Sequence, residues 1–279
     1  MRSKMPILIR PTILLFLVLA ACNAFGVEKL QVKHAQLELL AQQSTVSPGQ
    51  TLWLGVHFIL EKGWHIYWVN PGDSGQPPVF QWQLPPGFSA GDIQWPRPNK
   101  MQTSHLADYG YHDDVLLLTQ VNAPKNLTIN SRAEIALDAK WLICREVCLA
   151  DHAHLHIALP VSASAKEDPN VAQLFAGAQK LLPKPLPPGW RVTASSSKDS
   201  FVLSVATGKP VRQAQFFPLQ PDQIENTAPQ PLRTVAQGAH ITLKKSDQLL
   251  KPISRLTGVL VLADDQSYTI AAPVVQQRK

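Results

Sequence analysis

The sequence predicts an all-β protein, an immunoglobulin-like β-sandwich followed by a second, smaller β-domain. Prolines are frequent, 24 among 279 residues. Short runs of alternating apolar and polar residues are separated by turn formers at intervals of about 8–12 residues, as in sandwich folds. The chain is longer than the ~100–150 residues of a typical single domain, which indicates two domains.

The first predicted domain, residues 27–165, contains the clearest strand patterns. The run 51–60 is strongly apolar, and the run 63–69 is followed by the turn formers Asn70-Pro-Gly-Asp-Ser-Gly75. The predicted strands are 32–40, 51–60, 63–69, 80–84, 115–121, 133–141 and 152–161. They indicate about seven to nine strands. The tryptophans on these strands are expected in the core: Trp53, Trp64, Trp68 and Trp82.

The pattern changes between residues 166 and 189. Residues 168–182 space their apolar side chains as one short helix, with Pro169 tolerated in its first turn, and residues 183–189 form a stiff, proline-rich linker. A second β-domain is predicted over residues 190–279. Its strand patterns are 190–193, 200–205, 240–243, 256–262 and 267–274. The last two are expected to form a hairpin through residues 263–266.

The first 22 residues are typical of a secretory signal, with a basic start, an apolar run at 13–21 and small residues after it. The apolar run is shorter than the roughly 20 residues of a membrane span. The segment ending in Leu19-Ala-Ala-Cys22 resembles a bacterial lipobox, which predicts a lipoprotein acylated on Cys22. The alternative is cleavage near Ala24 to give a soluble protein. Both interpretations place the body of the chain in the periplasm.

The net charge of +6 is spread thinly along the chain, without a block of lysine and arginine. Nucleic acid is therefore excluded as an expected partner. The sequence has no glycine-rich phosphate loop, and no serine motif accompanies the acidic pair after His112, so neither nucleotide binding nor hydrolysis is expected. No cofactor is predicted.

Cys144 and Cys148 are the most informative residues, because the chain has three cysteines and the other, Cys22, lies in the signal. A disulfide requires Cα atoms within about 7 Å, whereas four residues of extended strand span roughly 13 Å. The chain must therefore turn between the two cysteines. A ring this small constrains the unfolded chain little, which favours a redox pair. The spacing alone leaves a structural disulfide or a metal ligand pair open.

Two further features bear on the chemistry near this pair. Arg145 would favour a neighbouring thiolate and Glu146 would oppose it. His152, His154 and His156 lie on one face of a predicted strand, about 6.6 Å apart in succession. Imidazoles so placed bind zinc or copper, but a polar, solvent-facing strand surface also explains them. We favour the surface interpretation, so no metal site is predicted.

Residues 54–161 resemble the N-terminal periplasmic domain of DsbD-type thiol:disulfide interchange proteins, in the branch of the copper-sensitivity suppressor proteins. The segments that carry the resemblance are 63–75 (GWHIYWVNPGDSG), Tyr109-Gly-Tyr111 with the run 115–117 after it, and 141–148 (WLICREVC). Beyond the linker, 215–218 (QFFP) and 224–230 (IENTAPQ) resemble the second β-subdomain of the same branch.

The resemblance implies that Cys144 and Cys148 are the redox pair. They would accept electrons from a membrane-embedded DsbD-type donor and reduce periplasmic thioredoxin-like client proteins. Tyr109 or Tyr111 would belong to a cap loop that shields the cysteines, unless both pack in an ordinary loop. Two differences from the family stand out. The best-known members have five residues between these cysteines and this chain has three, and the sequence ends at Lys279 without a membrane or thioredoxin-like domain, so the donor is expected to be a separate protein.

The predicted function is thus an exported thiol–disulfide interchange module, a component of a protein-disulfide reductase. The resemblance connects it with cytochrome c biogenesis and copper tolerance. The alternative is a non-enzymatic periplasmic β-sandwich with a structural disulfide, which binds a protein partner or copper.

Overall fold

The computed structural model describes residues 29–102, 105–263 and 266–276. The predicted signal with Cys22, and part of the predicted turn at 263–266, lie outside the described residues. Within the described ranges, no helix combines the length and the apolar character needed to cross a bilayer.

The N-terminal part folds into antiparallel strands. Those up to residue 102 are β1 (Leu30–Val32), β2 (Ala35–Ala41), β3 (Gln43–Thr45), β4 (Thr51–Leu60), β5 (His65–Gly72), β6 (Val79–Gln83), β7 (Ser89–Gln94) and β8 (Asn99–Gln102). The strands that follow are β9 (Ala107–His112), β10 (Asp114–Asn122), β11 (Arg132–Cys144), β12 (Cys148–Pro160) and β13 (Lys166–Glu167).

These strands build two sheets that share one core. One sheet has the order β1-β2-β4-β10-β7, and the other has the order β12-β11-β5-β9-β8, with β6 also paired to β11. The short strands β3 and β13 pair with each other. The alternation in β11 shows how sequence sets the layers, because every second residue from Ala133 to Trp141 is buried while the residues between them face outward. The predicted immunoglobulin-like sandwich is confirmed.

The tryptophans occupy the places expected for core residues. Trp64 and Trp68 are buried in the main core cluster. Trp82 is partly buried against that cluster, and Trp53 is partly buried against a neighbouring cluster.

One predicted strand is wrong in its extent. Residues 32–40 form parts of two strands, β1 and β2, because the chain turns at His34, whose φ is +56°. The backbone N–H of Glu61 donates to the His34 carbonyl, and the two side chains also pair at 2.8 Å. Lys33 and His34 are two polar residues in succession, so the apolar–polar alternation of 35–39 does not extend through this turn to Val32.

The helix α1 (Ala172–Leu181) lies inside the predicted segment 168–182. Its buried Phe175 packs against Leu116 and Leu118 on the outer face of the first sheet. This contact explains why a helix of only 10 residues is stable here, since short helices depend on burial of an apolar face.

The remaining strands form one further sheet, which we call the C-terminal sheet. Its strands are β14 (Arg191–Ser196), β15 (Ser200–Ala206), β16 (Ala214–Pro218), β17 (Leu232–Val235), β18 (Gly238–Lys244), β19 (Arg255–Leu262) and β20 (Ser267–Gln276). The spatial order is β16-β19-β20-β14-β15-β18-β17. The predicted pairing of the last two strands is correct. Strands β16 and β17 were not among the predicted strand patterns.

The C-terminal sheet packs directly against the N-terminal sandwich. Phe217 of β16 and Val259 of β19 belong to the sandwich core cluster. The Phe217 ring lies edge-on to Tyr109 and Trp68, with centroids 5.2 and 6.4 Å apart. The two parts therefore share apolar contacts in addition to a covalent linker.

Candidate functional site

The cysteine pair closes the end of the long hairpin formed by β11 and β12. Thirteen residue pairs face each other along this ladder, from Arg132 opposite Pro160 to Cys144 opposite Cys148. The two cysteines are disulfide-bonded, with Cα atoms 4.1 Å apart. The N–H of Arg145 donates to the Val147 carbonyl and closes the turn. The predicted turn between the cysteines is confirmed.

The two cysteines differ in their access to solvent. Cys144 is 2% exposed and pairs with His65 of β5, so little of its surface is accessible to solvent. Cys148 is exposed, and the preceding Val147 has 61% of its surface exposed. A thiolate from another protein therefore reaches Cys148 more directly than Cys144.

Tyr67 is the aromatic residue that contacts the pair. Its hydroxyl lies 3.5 Å from Sγ of Cys148 and 3.5 Å from Oγ of Ser74. Burial raises the pKa of Tyr67 above its ordinary value, and the hydrogen bond to Ser74 opposes this change. The side chain is therefore a neutral phenol at neutral pH, which can donate its proton in a hydrogen bond to a sulfur anion.

Ser74 and Asp108 form a second set of polar groups next to Tyr67. The N–H and the hydroxyl of Ser74 both donate to the carboxylate of Asp108, at 2.9 and 3.0 Å to Oδ1 and 2.9 Å from the hydroxyl to Oδ2. Burial raises the pKa of Asp108, while these hydrogen bonds lower it. Burial lowers the pKa of His65, although the Asp108 charge opposes that shift. The cysteines thus lie beside partly buried ionisable groups with shifted pKa values, a frequent property of reactive sites.

The turn itself is fixed by an aromatic stack. The Arg145 guanidinium carbon lies 5.2 Å from the centre of the Trp64 ring, and the His34 ring is stacked on Trp64 with centroids 3.8 Å apart. A side chain at Gly63 would approach Arg145 to 3.3 Å. Arg145 therefore packs its charged group on an indole beside the disulfide.

Tyr109 and Tyr111 are both buried in β9, and their hydroxyls bond elsewhere. The Tyr109 hydroxyl donates to Oδ1 of Asn226 at 2.9 Å, and the Tyr111 hydroxyl donates to the Pro96 carbonyl at 2.8 Å. Their role as a shield stays a prediction. Sequence reasoning did not single out Tyr67, although it lies within the segment 63–75 that carries the family resemblance.

The three histidines of β12 are exposed, as the surface interpretation expects. His154 pairs with Asp138 and His156 with Glu134, each at 2.8 Å. His152 lies opposite Lys140 in the ladder. Among the residues that the structure describes, no three histidine, cysteine or acidic side chains are placed to hold a metal ion.

Comparison with known proteins agrees with this geometry. Residues 36–160 match the family described as "Thiol:disulfide interchange protein DsbD, N-terminal". The crystal structure of the N-terminal periplasmic domain of ScsB from Proteus mirabilis aligns with a TM-score of 0.68 and 16% identity, over 90% of this chain and 98% of that chain. The predicted resemblance is therefore confirmed, and the ScsB likeness supports the fold.

Other comparisons add little. The YadV chaperone aligns with 12% identity over 84% of this chain and 98% of that chain, but its TM-score of 0.22 is too low to support an argument. No curated protein matches the sequence.

Proposed function

We propose, from the membership of residues 36–160 in the DsbD N-terminal family, that this protein is a periplasmic thiol–disulfide interchange module. Cys144 and Cys148 pass reducing equivalents from a membrane-embedded DsbD-type donor to thioredoxin-like client proteins. The observation that carries the proposal is a disulfide at the tip of a hairpin whose second sulfur belongs to an exposed residue. Acylation of Cys22, which would tether the module to a membrane, belongs to the same proposal.

The reaction proceeds in two exchange steps. The Cys148 thiolate attacks one sulfur of the client disulfide, so that a mixed disulfide forms and one client thiolate leaves and takes up a proton. The Cys144 thiolate then attacks Sγ of Cys148, which releases the second client thiolate. The client gains two electrons, and the protein is left with the Cys144–Cys148 disulfide.

The donor restores the reduced pair by the reverse chemistry. One thiolate of its dithiol attacks Sγ of Cys148, Cys144 leaves as a thiolate, and the second donor thiol resolves the mixed disulfide. The burial of Cys144 and the exposure of Cys148 support this assignment of roles. The negative charge of the Cys148 thiolate, which is consumed in the attack on the client and regained when the donor releases Cys148, lies next to the neutral hydroxyl of Tyr67.

We also propose the domain division expected from the sequence, with a redox domain over 27–165, a connecting segment over 166–189 and a second β-domain over 190–279. Its support is that the C-terminal sheet has an apolar cluster of its own, which includes Phe201, Leu203 and Ile241. A cap role for Tyr109 or Tyr111 draws no support from their hydrogen bonds, which point to Asn226 and Pro96.

The test is the redox equilibrium of the pair in the folded protein, measured by thiol trapping across glutathione buffers. A midpoint in the range of about −180 to −270 mV, typical of exchange proteins, with the fold retained on reduction, supports the proposal. A midpoint below about −300 mV, typical of structural disulfides, contradicts it and favours the non-enzymatic binding module. A Cys22→Ser variant removes the third thiol from the measurement.

A further inference from the structure

The loop Asn70-Pro-Gly-Asp-Ser-Gly75, which we call the site loop, lies between the cysteine pair and the C-terminal sheet. Regular pairing of β5 with β9 is interrupted between Tyr67 and Gly72. Gly72 and Gly75 have φ values of +92° and +78°. Beyond Gly72 a backbone hydrogen bond joins the loop to β9, from the N–H of Asp73 to the Ala107 carbonyl at 3.2 Å, and side-chain hydrogen bonds add to it.

The first anchor of the site loop is Asn70, whose side chain is buried, with the residue 1% exposed. Its Nδ2 donates to the carbonyl of Pro218 in the C-terminal sheet at 2.8 Å, and its Oδ1 accepts from the N–H of Gly72 at 3.2 Å. Removing the hydrogen-bond partner of a buried amide lowers the free energy of unfolding, because the amide is left unsatisfied. The start of the loop is thus fastened to the C-terminal sheet.

The second anchor is Asn226, a buried residue that precedes β17. Its Nδ2 donates to Oδ1 of Asp73 at 2.7 Å, and its Oδ1 accepts from the Tyr109 hydroxyl at 2.9 Å. The other carboxylate oxygen of Asp73 accepts from the N–H of Ala107 at 2.7 Å. One amide of the C-terminal sheet system therefore holds Asp73 in place against the sandwich.

Asp73 is followed directly by Ser74, and the contacts continue to the sulfur. Ser74 donates to Asp108 and its hydroxyl lies 3.5 Å from the Tyr67 hydroxyl. Tyr67 in turn contacts Cys148. At the end of the loop, a side chain on Gly75 would lie 2.1 Å from the Tyr67 ring, so the backbone there is pressed against that ring.

We propose that Asn226 is a positioning residue for the exchange site: through Asp73 and Ser74 it holds the Tyr67 hydroxyl against Sγ of Cys148. The C-terminal sheet then contributes to the reactivity of Cys148 as well as to the stability of the protein. This inference rests on the proposed function, because a hydrogen bond to Cys148 matters for exchange only if the Cys148 thiolate reacts.

A purely structural interface would give a different result. Removing the Asn226 amide would then lower the stability of the protein but leave the acid–base behaviour of Cys148 unchanged. The variant keeps the other ionisable groups around the pair, His65, Asp108, Arg145 and Glu146, and the inference expects only the position of the Tyr67 hydroxyl to change.

The experiment compares Asn226→Ala with the parent in the reduced, full-length chain. The rate of Cys148 alkylation by iodoacetamide is measured against pH, with the modified cysteine located by mass spectrometry. Without the positioned phenol the thiolate is less stabilised, so the midpoint of the profile rises and the rate at pH 7 falls about two- to tenfold, the range that one hydrogen bond accounts for. A profile that superimposes on the parent's overturns the inference.

The matched control is Gln102→Ala. Gln102 also donates across the interface, to the carbonyl of Thr227 at 3.3 Å, and this hydrogen bond does not run through the site loop. Its alkylation profile is expected to match the parent's. If Gln102→Ala shifts the profile as much as Asn226→Ala, the effect comes from general loosening of the interface and the inference fails.

A double-mutant cycle tests the path itself, since residues that act in series are not additive. Ser74→Ala alone and Ser74→Ala with Asn226→Ala are expected to give the same profile. Additive shifts would contradict a path through Ser74. If Asn226→Ala does not fold, Asn226→Ser keeps a hydroxyl at the position but shortens the side chain that reaches Asp73, and it replaces the alanine variant in both comparisons.

Failure of this inference is distinguishable from failure of the proposed function. Alkylation needs no partner protein, so an unchanged Asn226→Ala profile rejects only the positioning role. A parent midpoint below about −300 mV in the redox titration rejects the exchange function, whatever the alkylation profiles show.

Discussion

The hydroxyl of Tyr67 lies 3.5 Å from Sγ of Cys148, although 81 positions separate the two residues in the sequence. Tyr67 occupies the middle of β5, and Cys148 begins β12 at the tip of the next hairpin across the sheet. The sandwich therefore brings a buried phenol to the more accessible sulfur of the pair.

Replacing Tyr67 with phenylalanine removes the hydroxyl and keeps the ring. The Cys148 thiolate then loses a donor, so its alkylation profile shifts to higher pH and the rate at pH 7 falls about two- to tenfold, as for loss of one hydrogen bond. The measurement is iodoacetamide alkylation against pH. Tyr111→Phe is the control, since that hydroxyl bonds the Pro96 carbonyl. Equal profiles for the two variants would contradict a role for Tyr67.

The unequal exposure of the cysteines predicts unequal single variants. Cys144→Ser leaves Cys148 to attack a client disulfide without a resolving thiol, so a mixed disulfide with a thioredoxin-like client accumulates. Cys148→Ser leaves only the buried Cys144, so little mixed disulfide with the client forms. Non-reducing electrophoresis of the two mixtures measures the difference. A stronger adduct with Cys148→Ser would reverse the assignment of roles.

Gly75→Ala tests the contact between the site loop and Tyr67. The new methyl group would lie 2.1 Å from the Tyr67 ring, so the ring or the loop must move and Cys148 alkylation changes with it. Gly208→Ala is a close control, because Gly208 has the same φ of +78° and no atom within 4 Å of the added group. Both variants lose roughly 1 kcal/mol from the left-handed backbone, and only Gly75→Ala alters the alkylation rate.

The stack of Arg145 on Trp64 predicts a small effect on stability. Arg145→Ala removes an exposed cation–π contact, which is worth about 0.5–1 kcal/mol. Denaturant unfolding of the oxidised protein measures the loss. Glu146→Ala, in the same exposed turn, is the control and should leave the unfolding free energy nearly unchanged. A loss of similar size in both variants would assign the effect to the turn as a whole.

The lowered pKa of His65 predicts a loss of stability in mild acid. Its folded-state pKa lies below the ordinary 6.5 because the ring is desolvated, so the unfolded chain takes up a proton that the folded chain does not. The contribution is present in full above pH 6.5 and is lost as the pH falls from there towards the folded-state pKa. Denaturant unfolding at pH 7.5 and 5.5 should therefore show a larger drop in the parent than in His65→Gln. Equal drops would contradict this assignment.

Asp108 has the opposite effect on stability as the pH falls. Its folded-state pKa is raised, so the folded protein binds a proton more readily than the unfolded chain as the pH falls, and stability gains from that uptake. The fall in the unfolding free energy of the parent in acid is thus the net effect of His65 and Asp108. Asp108→Asn removes the gain, and the drop between pH 7.5 and 5.5 is expected to be at least as large in that variant.

Much of the sandwich could be predicted because its long strands alternate clearly. Strand β4 coincides with the predicted run 51–60, β11 contains the predicted run 133–141, and β12 covers all but the last residue of the predicted run 152–161. Strands β7 and β8 were missed because their sequences, such as Ser89-Ala-Gly-Asp-Ile-Gln94, show no apolar alternation. They complete sheets whose other strands supply the apolar surface, so their own composition carries little signal.

The site could be predicted only in part, for a related reason. A turn between Cys144 and Cys148 follows from chain geometry, since the spacing itself forces it. The approach of Tyr67 to Cys148 depends on the register of three strands, and that of Asn226 to Asp73 depends on how two sheets pack. The local periodicity of the sequence specifies neither which residues of distant strands face each other nor how two sheets pack together.

The ladder of 13 residue pairs behind the disulfide is built from backbone bonds that do not involve the sulfurs, so we expect it to persist when the pair is reduced. After reduction, Cys144 stays beside Cys148 at a high effective molarity, because the hairpin and not the sulfur bond sets their separation. Any covalent complex formed at Cys148 is then attacked from within the same hairpin soon after it forms. For the proposed exchange function, this would keep the lifetime of the mixed disulfide short, so that each partner is released quickly.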